Sequence, residues 1–320
     1  MSGADGSAAA GGGAPSIACI SASFDMGPMA ARLAALRPAW QVRVWPEPGS
    51  EDAQVAVCWD VPPGLFARMP RLALVHGIAA GTDNIVHGQE LRGLPVCRVI
   101  DAEQVRGMVE YALWSVLYFH RGFDRALAQQ ARGEWRRPPL RAAAEHPVGV
   151  LGLGTIGSAV AEALHAHGYR VSAFNRSPRA IEGVHVEAGG PDRLPRFLAG
   201  LDTLVCLLPL TPATRGILNR DTFARLPRGA ALVHLGRGGH LVTQDLRDAL
   251  RQGQLRGAVV DVFPSEPLAP GDPLWSEPGL VVTPHMGTMA SPERVAAQIV
   301  GNVERLCAGM PLLNRVRPAP

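Results

Sequence analysis

Three charged or ionisable side chains stand in turn-like segments that each follow a predicted apolar strand. Arg237 lies in a glycine-rich turn, Glu266 follows the next strand, and His285 stands behind a proline after the third. Ligands bind at the carboxyl ends of strands in open parallel sheets, so we expect these side chains to meet. Arginine binds carboxylates through a planar fork of donors, and histidine exchanges protons near neutral pH. The set is typical of a site that binds an anion and transfers a proton.

A fourth segment, 148–157, has the spacing G-x-G-x-x-G after an apolar strand. Gly152 permits a tight turn, Gly154 lets the backbone approach a pyrophosphate, and Gly157 lets the next helix pack closely on the strand. That helix, predicted over 158–167, presents its free amides to phosphate. The spacing alone is weak evidence, because 36 of the 320 residues are glycine. Strand, loop, helix and next strand in the required order favour dinucleotide binding.

The turn after the second strand of this series predicts which dinucleotide binds. An NAD site would carry an acidic residue near position 175 to accept hydrogen bonds from the ribose hydroxyls. This sequence has the uncharged Asn175 there, followed by Arg176, Ser177 and Arg179. Two cations and a hydroxyl suit a 2′-phosphate, so we expect NADP(H) to be preferred, with NAD(H) possible. The alternative is a solvated loop that carries arginine without binding a ligand.

Composition narrows the possible classes further. The chain contains no lysine, which excludes Schiff-base chemistry and the lysine of a P-loop. The formal charge of +3 is small and spread out, so we expect no nucleic-acid partner. No apolar run is long enough for a transmembrane helix, and we expect no membrane association. The His, Cys and carboxylate residues show no metal-ligand spacing, and we expect no metal.

The cysteines and the amino-terminal segment point to the cellular location. Five isolated cysteines without a C-x-x-C pair are typical of free thiols in a reducing cytoplasm. Residues 1–16, rich in Gly, Ala and Ser, predict a disordered tail, and they lack the basic and apolar regions of a signal peptide.

Apolar runs alternate with helical patterns through the rest of the chain. Strands are predicted at 17–24, 41–45, 54–59, 72–76 and 96–100, and then at 148–152, 170–175, 202–207, 231–235, 257–262 and 280–283. Helices are predicted at 28–36, over 103–132 with a break near Gly122, and at 291–308. The alternation predicts an α/β fold with two doubly wound parallel-sheet domains, Rossmann or flavodoxin-like, and a cleft between them. We expect a substrate domain of 17–98 plus 288–320 and an NAD(P)-binding Rossmann domain of 99–287.

The glycine loop and the three strand-end segments, 235–239, 261–268 and 283–287, resemble the D-isomer-specific 2-hydroxyacid dehydrogenase family. The resemblance covers nearly all of the chain from residue 17. Within the family it is greatest to the glyoxylate/hydroxypyruvate reductase A group, through Val57-Cys58-Trp59, the Asn-Arg-Ser turn, and Glu266-Pro-Leu before Pro273-Leu-Trp275. It implies an enzyme that reduces small 2-keto acids to 2-hydroxy acids by hydride transfer.

The chemistry of that reaction explains the residue types. Arg237 would hold the carboxylate and the carbonyl of the ketoacid together. His285 would be the general acid for reduction, and Glu266 would orient its ring and favour its charged form. The resemblance implies that Asp261 and the carbonyl of Leu235 bind the nicotinamide carboxamide.

The remaining site residues follow from the same segments and from the resemblance. Ala80 and Gly81 match a loop whose amides bind the substrate carboxylate, Trp59 matches a residue near the substrate, and Met108 matches one above the nicotinamide. Trp59 as simple packing is an open alternative. The residues predicted to contact the cofactor are Gly152, Gly154, Thr155, Ile156, Gly157, Asn175, Arg176, Ser177, Arg179, Leu208, Pro209, Thr214, Leu235, Gly236, Asp261, His285 and Gly287.

The resemblance also implies a homodimer paired through the helical arm at 103–132. Two other functions stay open. One is an NAD-dependent 2-hydroxyacid dehydrogenase of different specificity, which Asn175 and Arg176 disfavour. The other is a non-catalytic NAD(P)-binding regulator, which the intact set of Arg237, Glu266 and His285 disfavours.

Overall fold

The structure is a computed structural model that describes residues 14–137 and 139–316. The described residues divide into two compact units, one formed by 14–101 and 290–316, the other lying within Ala102–Met289. Residues 1–13 of the predicted tail lie outside the described residues. Ser16, which the prediction placed in the tail, instead begins the first strand.

Within residues 14–101 and 290–316, the first unit is built on five strands, β1 (Ser16–Ile20), β2 (Gln41–Val44), β3 (Val55–Cys58), β4 (Leu74–Gly77) and β5 (Val96–Cys97). All five run parallel, in the sheet order β2-β1-β3-β4-β5. The described part of this unit adds the helices α1 (Gly27–Leu36), α2 (Asp83–Val86) and α9 (Pro292–Cys307). Short 3-10 helices lie at Ser50–Asp52 and Leu65–Arg68.

Different apolar sets cover the two faces of this sheet, because successive side chains of a strand point to opposite faces. Ile17 and Val55 cluster with Leu33 of α1 and Ile299 of α9 on one face. Their strand neighbours form a second cluster with Phe66. Helix α9 therefore completes the core of the first unit, although the whole second unit intervenes in the sequence.

The described part of the second unit contains seven strands, β6 (Val148–Leu151), β7 (Val171–Asn175), β8 (His185–Ala188), β9 (Thr203–Cys206), β10 (Ala230–His234), β11 (Leu255–Val260) and β12 (Leu280–Val282). Its described α-helices are α3 (Ala102–His120), α4 (Phe123–Ala131), α5 (Thr155–Ala166), α6 (Leu194–Leu198), α7 (Arg220–Arg225) and α8 (Thr243–Arg251). The 3-10 helices are Ala143–Glu145, Pro191–Arg193, Gly238–His240 and Pro273–Ser276.

The strand order of the second sheet indicates where a ligand would bind. All strands run parallel in the order β12-β11-β10-β9-β6-β7-β8. The chain winds outward from β6 to β8, returns to the middle, and winds outward the other way from β9 to β12. The order reverses between β6 and β9, and ligands bind at the carboxyl ends of strands beside such a reversal.

The prediction of two parallel-sheet α/β units is confirmed, but the prediction of six strands in the second unit is wrong. Strand β8 was missed because His185–Ala188 is a half-exposed segment that pairs only with β7 at the sheet edge. It carries no continuous apolar run. The predicted break near Gly122 is confirmed, since Gly122 has a positive φ of 72° between α3 and α4.

The helices and the cysteines bear on whether the protein could cross a membrane or form disulfides. Among the described residues, no helix combines the length and the apolar character that crossing a membrane requires. All five cysteines carry free thiols, four of them buried, whereas Cys307 is exposed.

Candidate active site

The glycine turn after β6 is held by backbone packing that only glycine permits. Gly152 has a φ of +95°, and a Cβ placed on it would lie 3.0 Å from the carbonyl oxygen of Leu207. A Cβ on Gly157 would lie 1.9 Å from the carbonyl oxygen of Gly152, which would separate α5 from the turn. Gly154 is exposed, and a Cβ on it would meet nothing within 4 Å. The turn therefore leaves open space at the start of α5, where Thr155 and Ile156 supply the first helical amides.

The loop after β9 lies between the glycine turn and the arginine turn. The Cα of Leu208 is 3.0 Å from a Cβ built on Gly152, and its carbonyl oxygen is 3.3 Å from one built on Gly236. Thr214 donates a hydrogen bond of 2.8 Å from its hydroxyl to the carbonyl of Pro209, which closes the loop. The predicted cofactor residues Gly152, Leu208 and Gly236 are thus brought together, as the reversal of strand order requires.

The turn after β7 has a more specific structure than its sequence suggested. Asn175 accepts a hydrogen bond from the Leu153 N–H at 3.3 Å and donates one from Nδ2 to the Ser177 carbonyl at 2.8 Å. Arg179 donates from Nη1 to the carbonyl of Leu153 at 2.7 Å. Asn175 and Arg179 therefore tie this turn to the glycine turn, and Arg176 projects as an exposed cation beside them.

The arginine turn after β10 packs directly on the turn that carries the glutamate. Arg237 is half-buried and has extended backbone, with a φ of −141°. A Cβ on Gly238 would lie 1.8 Å from the carbonyl oxygen of Phe263, so only glycine fits between the two turns. Arg237 Nη1 donates to the carbonyl of Gly236 at 2.9 Å, which directs one edge of the guanidinium.

The predicted pair of Glu266 and His285 is present. His285 Nδ1 lies 2.7 Å from Glu266 Oε2, and the side chains are 38% and 35% exposed. The other carboxylate oxygen of Glu266 accepts a 2.8 Å hydrogen bond from the Phe263 N–H. Both oxygens of the carboxylate are therefore positioned, and the imidazole is held by its Nδ1 side.

The electrostatic environment favours a charged His285. The hydrogen bond to Glu266 raises the pKa of His285 above its ordinary value, against burial, which lowers it. The positive charge of Arg237 also lowers this pKa, more weakly than burial does. Burial raises the pKa of Glu266, but the hydrogen bonds from His285 and the Phe263 N–H, together with the positive charges of His285 and Arg237, hold it below its usual value.

Asp261 organises the turn on which His285 stands. Its buried carboxylate accepts hydrogen bonds from the Thr283 hydroxyl at 2.7 Å and from the N–H groups of Met286 and Gly287, each at 2.9 Å. His285 has a positive φ of 51° within this turn. The sequence-based interpretation gave Asp261 a contact to nicotinamide. The structure adds a second role, since the carboxylate accepts these three hydrogen bonds and thereby stabilises the turn that carries His285.

The predicted substrate residues are divided between the units. Met108 lies in the second unit, and its sulfur is 3.5 Å from a Cβ built on Gly287. Trp59 directly follows β3, and Ala80 and Gly81 lie in the loop after β4, at the carboxyl edge of the first sheet. All three are half-buried.

Sequence reasoning did not identify a cluster beneath Arg237. Cys206, His234 and His240 are fully buried, and in the described part of the chain they form a group whose potential ligand atoms lie within 4.8 Å of one another. The signal was present, because the two histidines stand three residues on either side of Arg237. The expectation of no metal stays a prediction.

Comparison with known proteins identifies the class. Residues 113–287 match the model of the NAD binding domain of D-isomer specific 2-hydroxyacid dehydrogenases. The chain belongs to this family, and it is an oxidoreductase that uses a nicotinamide cofactor. The family and the enzyme class predicted from the sequence are thereby confirmed.

Individual relatives extend this result. The chain is 39% identical over 278 residues to a glyoxylate/hydroxypyruvate reductase A of Serratia proteamaculans (strain 568), covering 85% of this chain and 88% of the relative. It is similar to a solved family member of Klebsiella pneumoniae 342, with 44% identity, a TM-score of 0.89 and coverage of 95% and 97%. It is also similar to the enzyme of Xanthobacter autotrophicus Py2 solved in complex with NADPH and MES, with 38% identity, a TM-score of 0.86 and coverage of 95% and 98%.

Replacing Glu266 by Gln tests the electrostatic role of the pair. The neutral amide keeps an acceptor for the Phe263 N–H but removes the charge that stabilises imidazolium, so we expect the pKa of His285 to fall. The protonated fraction at neutral pH falls with it. Histidine NMR titration measures this, with the resonance assigned by its loss in His285→Asn.

A matched control is Glu187→Gln, which removes a carboxylate on edge strand β8 and should leave the titration of His285 unchanged. An unaltered pKa of His285 in Glu266→Gln would contradict the assigned coupling.

Proposed function

We propose that this protein catalyses the NADPH-dependent reduction of small 2-keto acids, such as glyoxylate and hydroxypyruvate, to 2-hydroxy acids. The observation that carries the proposal is the hydrogen bond between Glu266 and His285 Nδ1, beside the arginine turn. The name of the Serratia relative supports the substrate class, since this chain covers most of that protein.

In the proposed reaction, Arg237 holds the ketoacid through its carboxylate and polarises the carbonyl, which fixes the geometry for attack. The reduced nicotinamide, when bound, supplies hydride to the carbonyl carbon. Because Nδ1 of the imidazolium donates to Glu266, Nε2–H is the proton that His285 delivers to the carbonyl oxygen. The alkoxide is thus neutralised as it forms, and Glu266 stabilises the charged ring until the transfer. In the reverse direction, neutral His285 accepts the proton of the hydroxyl.

The second unit fits a dinucleotide at the reversal of strand order. Open space above Gly154 and the amino end of α5 suit the pyrophosphate. Leu208, Pro209 and Thr214 would line the next strand end, while Leu235 and Asp261 would receive the nicotinamide carboxamide. We propose that Trp59, Ala80, Gly81 and Met108 also contact the substrate.

Preference for NADPH is proposed from the turn after β7. Asn175 carries no charge that would repel a 2′-phosphate, and Arg176 is an exposed cation next to it. Arg179 has a bond to Leu153 and would contribute with its remaining donors. The Xanthobacter relative, solved with NADPH, supports this choice.

We further propose a homodimer in the cytoplasm. Helices α3 and α4 expose large apolar side chains, Trp114, Phe123 and Leu127, which favour burial against a second copy. Free thiols at all five cysteines suit a reducing compartment.

Sedimentation equilibrium should give twice the mass of one chain, and Leu127→Asp should shift the equilibrium toward the monomer. A monomeric unmodified protein would contradict the assembly.

Two substitutions test the catalytic assignment. His285→Asn should lower the turnover number with glyoxylate by roughly 100-fold or more, while NADPH binding stays nearly intact, because the imidazole meets the substrate oxygen. Arg237→Lys should raise KM and lower the turnover number, since one ammonium cannot replace two parallel donors. Steady-state kinetics and fluorescence titration of NADPH measure the two effects.

The matched control is His185→Asn, at an exposed histidine on the far edge of the sheet, which should leave both measurements unchanged. Near-normal turnover in His285→Asn would remove the proposed proton donor. A change below about threefold in kcat/KM for Arg237→Lys, or roughly 0.7 kcal/mol, would remove the bidentate clamp.

Cofactor choice is tested at the turn after β7. The unmodified protein should prefer NADPH over NADH by roughly ten- to a hundred-fold in kcat/KM, because charge-assisted hydrogen bonds to phosphate are strong. Arg176→Ala should reduce this preference, and Asn175→Asp combined with Arg176→Ala should reverse it. Kinetics with both cofactors at one fixed ionic strength measure the ratio.

The control Arg225→Ala removes an equal charge from the exposed face of α7 and should not alter the ratio. Since Asn175 Nδ2 donates to the Ser177 carbonyl, Asn175→Asp also loses that bond. Thermal unfolding of each variant therefore accompanies the kinetics. Equal efficiency with the two cofactors in the unmodified protein would refute the role of this turn and would leave the catalytic assignment standing.

A further inference from the structure

Two buried histidines flank Arg237 symmetrically along the chain. His234 is the last residue of β10, and His240 is the last residue of the short helix Gly238–His240. Both side chains have no exposed surface. Neither belongs to the reaction as described so far, and fully buried polar rings need hydrogen-bond partners to be stable there.

Their partners are the main-chain groups of Arg237. His234 Nε2 donates to the carbonyl oxygen of Arg237 at 3.0 Å, and the N–H of Arg237 donates to His240 Nδ1 at 3.1 Å. The same carbonyl oxygen also accepts the backbone N–H of His240 at 2.9 Å. The peptide groups of Arg237 are therefore bound on both sides by the two histidines.

These contacts fix the tautomers. A bond to a carbonyl requires a proton on His234 Nε2, whereas a bond from an amide requires a lone pair on His240 Nδ1. Burial lowers the pKa of His234 to about 3, so this ring is neutral near pH 7. His234 therefore binds the Arg237 carbonyl as a neutral ring near pH 7.

A metal ion is the other use that this cluster suggests, because Cys206 Sγ lies with the two rings. An ion bound to His240 Nε2 would place the ring proton on Nδ1, directly opposite the N–H of Arg237. The ion would therefore break the bond that the structure shows. The geometry favours a hydrogen-bonding role for the histidines.

We propose that His234 and His240 are positioning residues that set the backbone of Arg237 for the ketoacid. The proposal rests on the proposed function, in which Arg237 holds the substrate. Gly236 and Gly238 on either side of Arg237 leave its backbone conformationally free, and a Cβ on Gly236 would lie only 3.0 Å from His240 Nδ1. The hydrogen bonds with the two imidazole rings restrict the Arg237 backbone, which the flanking glycines do not. A small rotation of this peptide would displace the guanidinium at the end of its long side chain, and errors of about 1 Å reduce catalysis strongly.

Asparagine and glutamine distinguish the two ring nitrogens. The amide of asparagine reaches the place of Nδ1, and that of glutamine reaches the place of Nε2. His234→Gln keeps the donor to the carbonyl and His240→Asn keeps the acceptor for the amide, whereas His234→Asn and His240→Gln lose them. Each residue type is thus the conservative change at one position and the disruptive change at the other.

Kinetics with glyoxylate and NADPH give the test. We expect the conservative pair to retain kcat/KM for glyoxylate within about fivefold, and the disruptive pair to lose about 30-fold or more, chiefly through orientation of the ketoacid. The dissociation constant of NADPH should change less than about twofold, because Arg237 does not hold the dinucleotide. Equal losses in all four variants, or a loss confined to NADPH binding, would overturn the proposal.

The same four changes in an Arg237→Gln background separate positioning from general stability. If the histidines act through Arg237, they should cost less than about twofold there. A loss that multiplies with that of Arg237→Gln would overturn the proposal. If the disruptive variants do not fold, the double variant His234→Gln with His240→Asn decides. A loss beyond about 25-fold in a folded protein, which exceeds two independent fivefold losses, overturns the proposal.

Different outcomes would contradict the proposed function and the positioning role of the histidines. Unchanged kinetics in Arg237→Gln alone would remove the proposed function. A severe loss in Arg237→Gln, with no difference between the conservative and disruptive histidine variants, would remove only the positioning role.

Discussion

The second unit depends on backbone packing at the carboxyl ends of its central strands. Gly157 against the Gly152 carbonyl, and Gly238 against the Phe263 carbonyl, leave no volume for a side chain between successive turns. Because the strands are parallel, all these turns lie at one edge of the sheet. The absence of Cβ atoms lets the turns close on one another. These turns carry Arg237, Glu266 and His285, whose side chains are thereby placed around one position.

Charge distribution follows from that placement. The carboxylate of Glu266 and the guanidinium of Arg237 alter the proton affinity of the His285 imidazole in opposite directions. Glu266 has the larger influence, because it contacts His285 directly while Arg237 acts through space. The balance raises the pKa of the His285 ring at a place where an anion is expected to bind. Partial exposure of the pair screens these interactions, which allows the proton to leave and return.

Much of this arrangement could be predicted because strand ends carry the functional residues in folds of this kind. Continuous apolar runs predicted the buried strands, but predicted strand 17–24 was too long, since Ser21 begins a turn that binds the Ser23 and Phe24 amides. Strand β8 was not predicted, because an edge strand needs no continuous apolar run. The pairing of Glu266 with His285 was predicted from the strand-end segments, from their resemblance to the family and from the chemistry that the resemblance implies.

Contacts between side chains and distant backbone could not be predicted in this way. The bond from Arg179 to Leu153, and the bonds of Asp261 to the Met286 and Gly287 amides, depend on how closely turns approach in space. Spacing along the chain does not encode that approach. The histidines around Arg237 were regularly spaced, yet their burial and tautomers became evident only from the fold.

The positive φ of His285 has a consequence for how this site can change through evolution. A backbone in the left-handed region accepts glycine, asparagine, aspartate and histidine far more readily than bulky or β-branched residues. Of the residue types that fit the turn, histidine alone has an unperturbed pKa near neutrality. The fold thus limits which residues evolution can place at position 285 without backbone strain. A lineage that loses the imidazole also loses acid catalysis at neutral pH from that position.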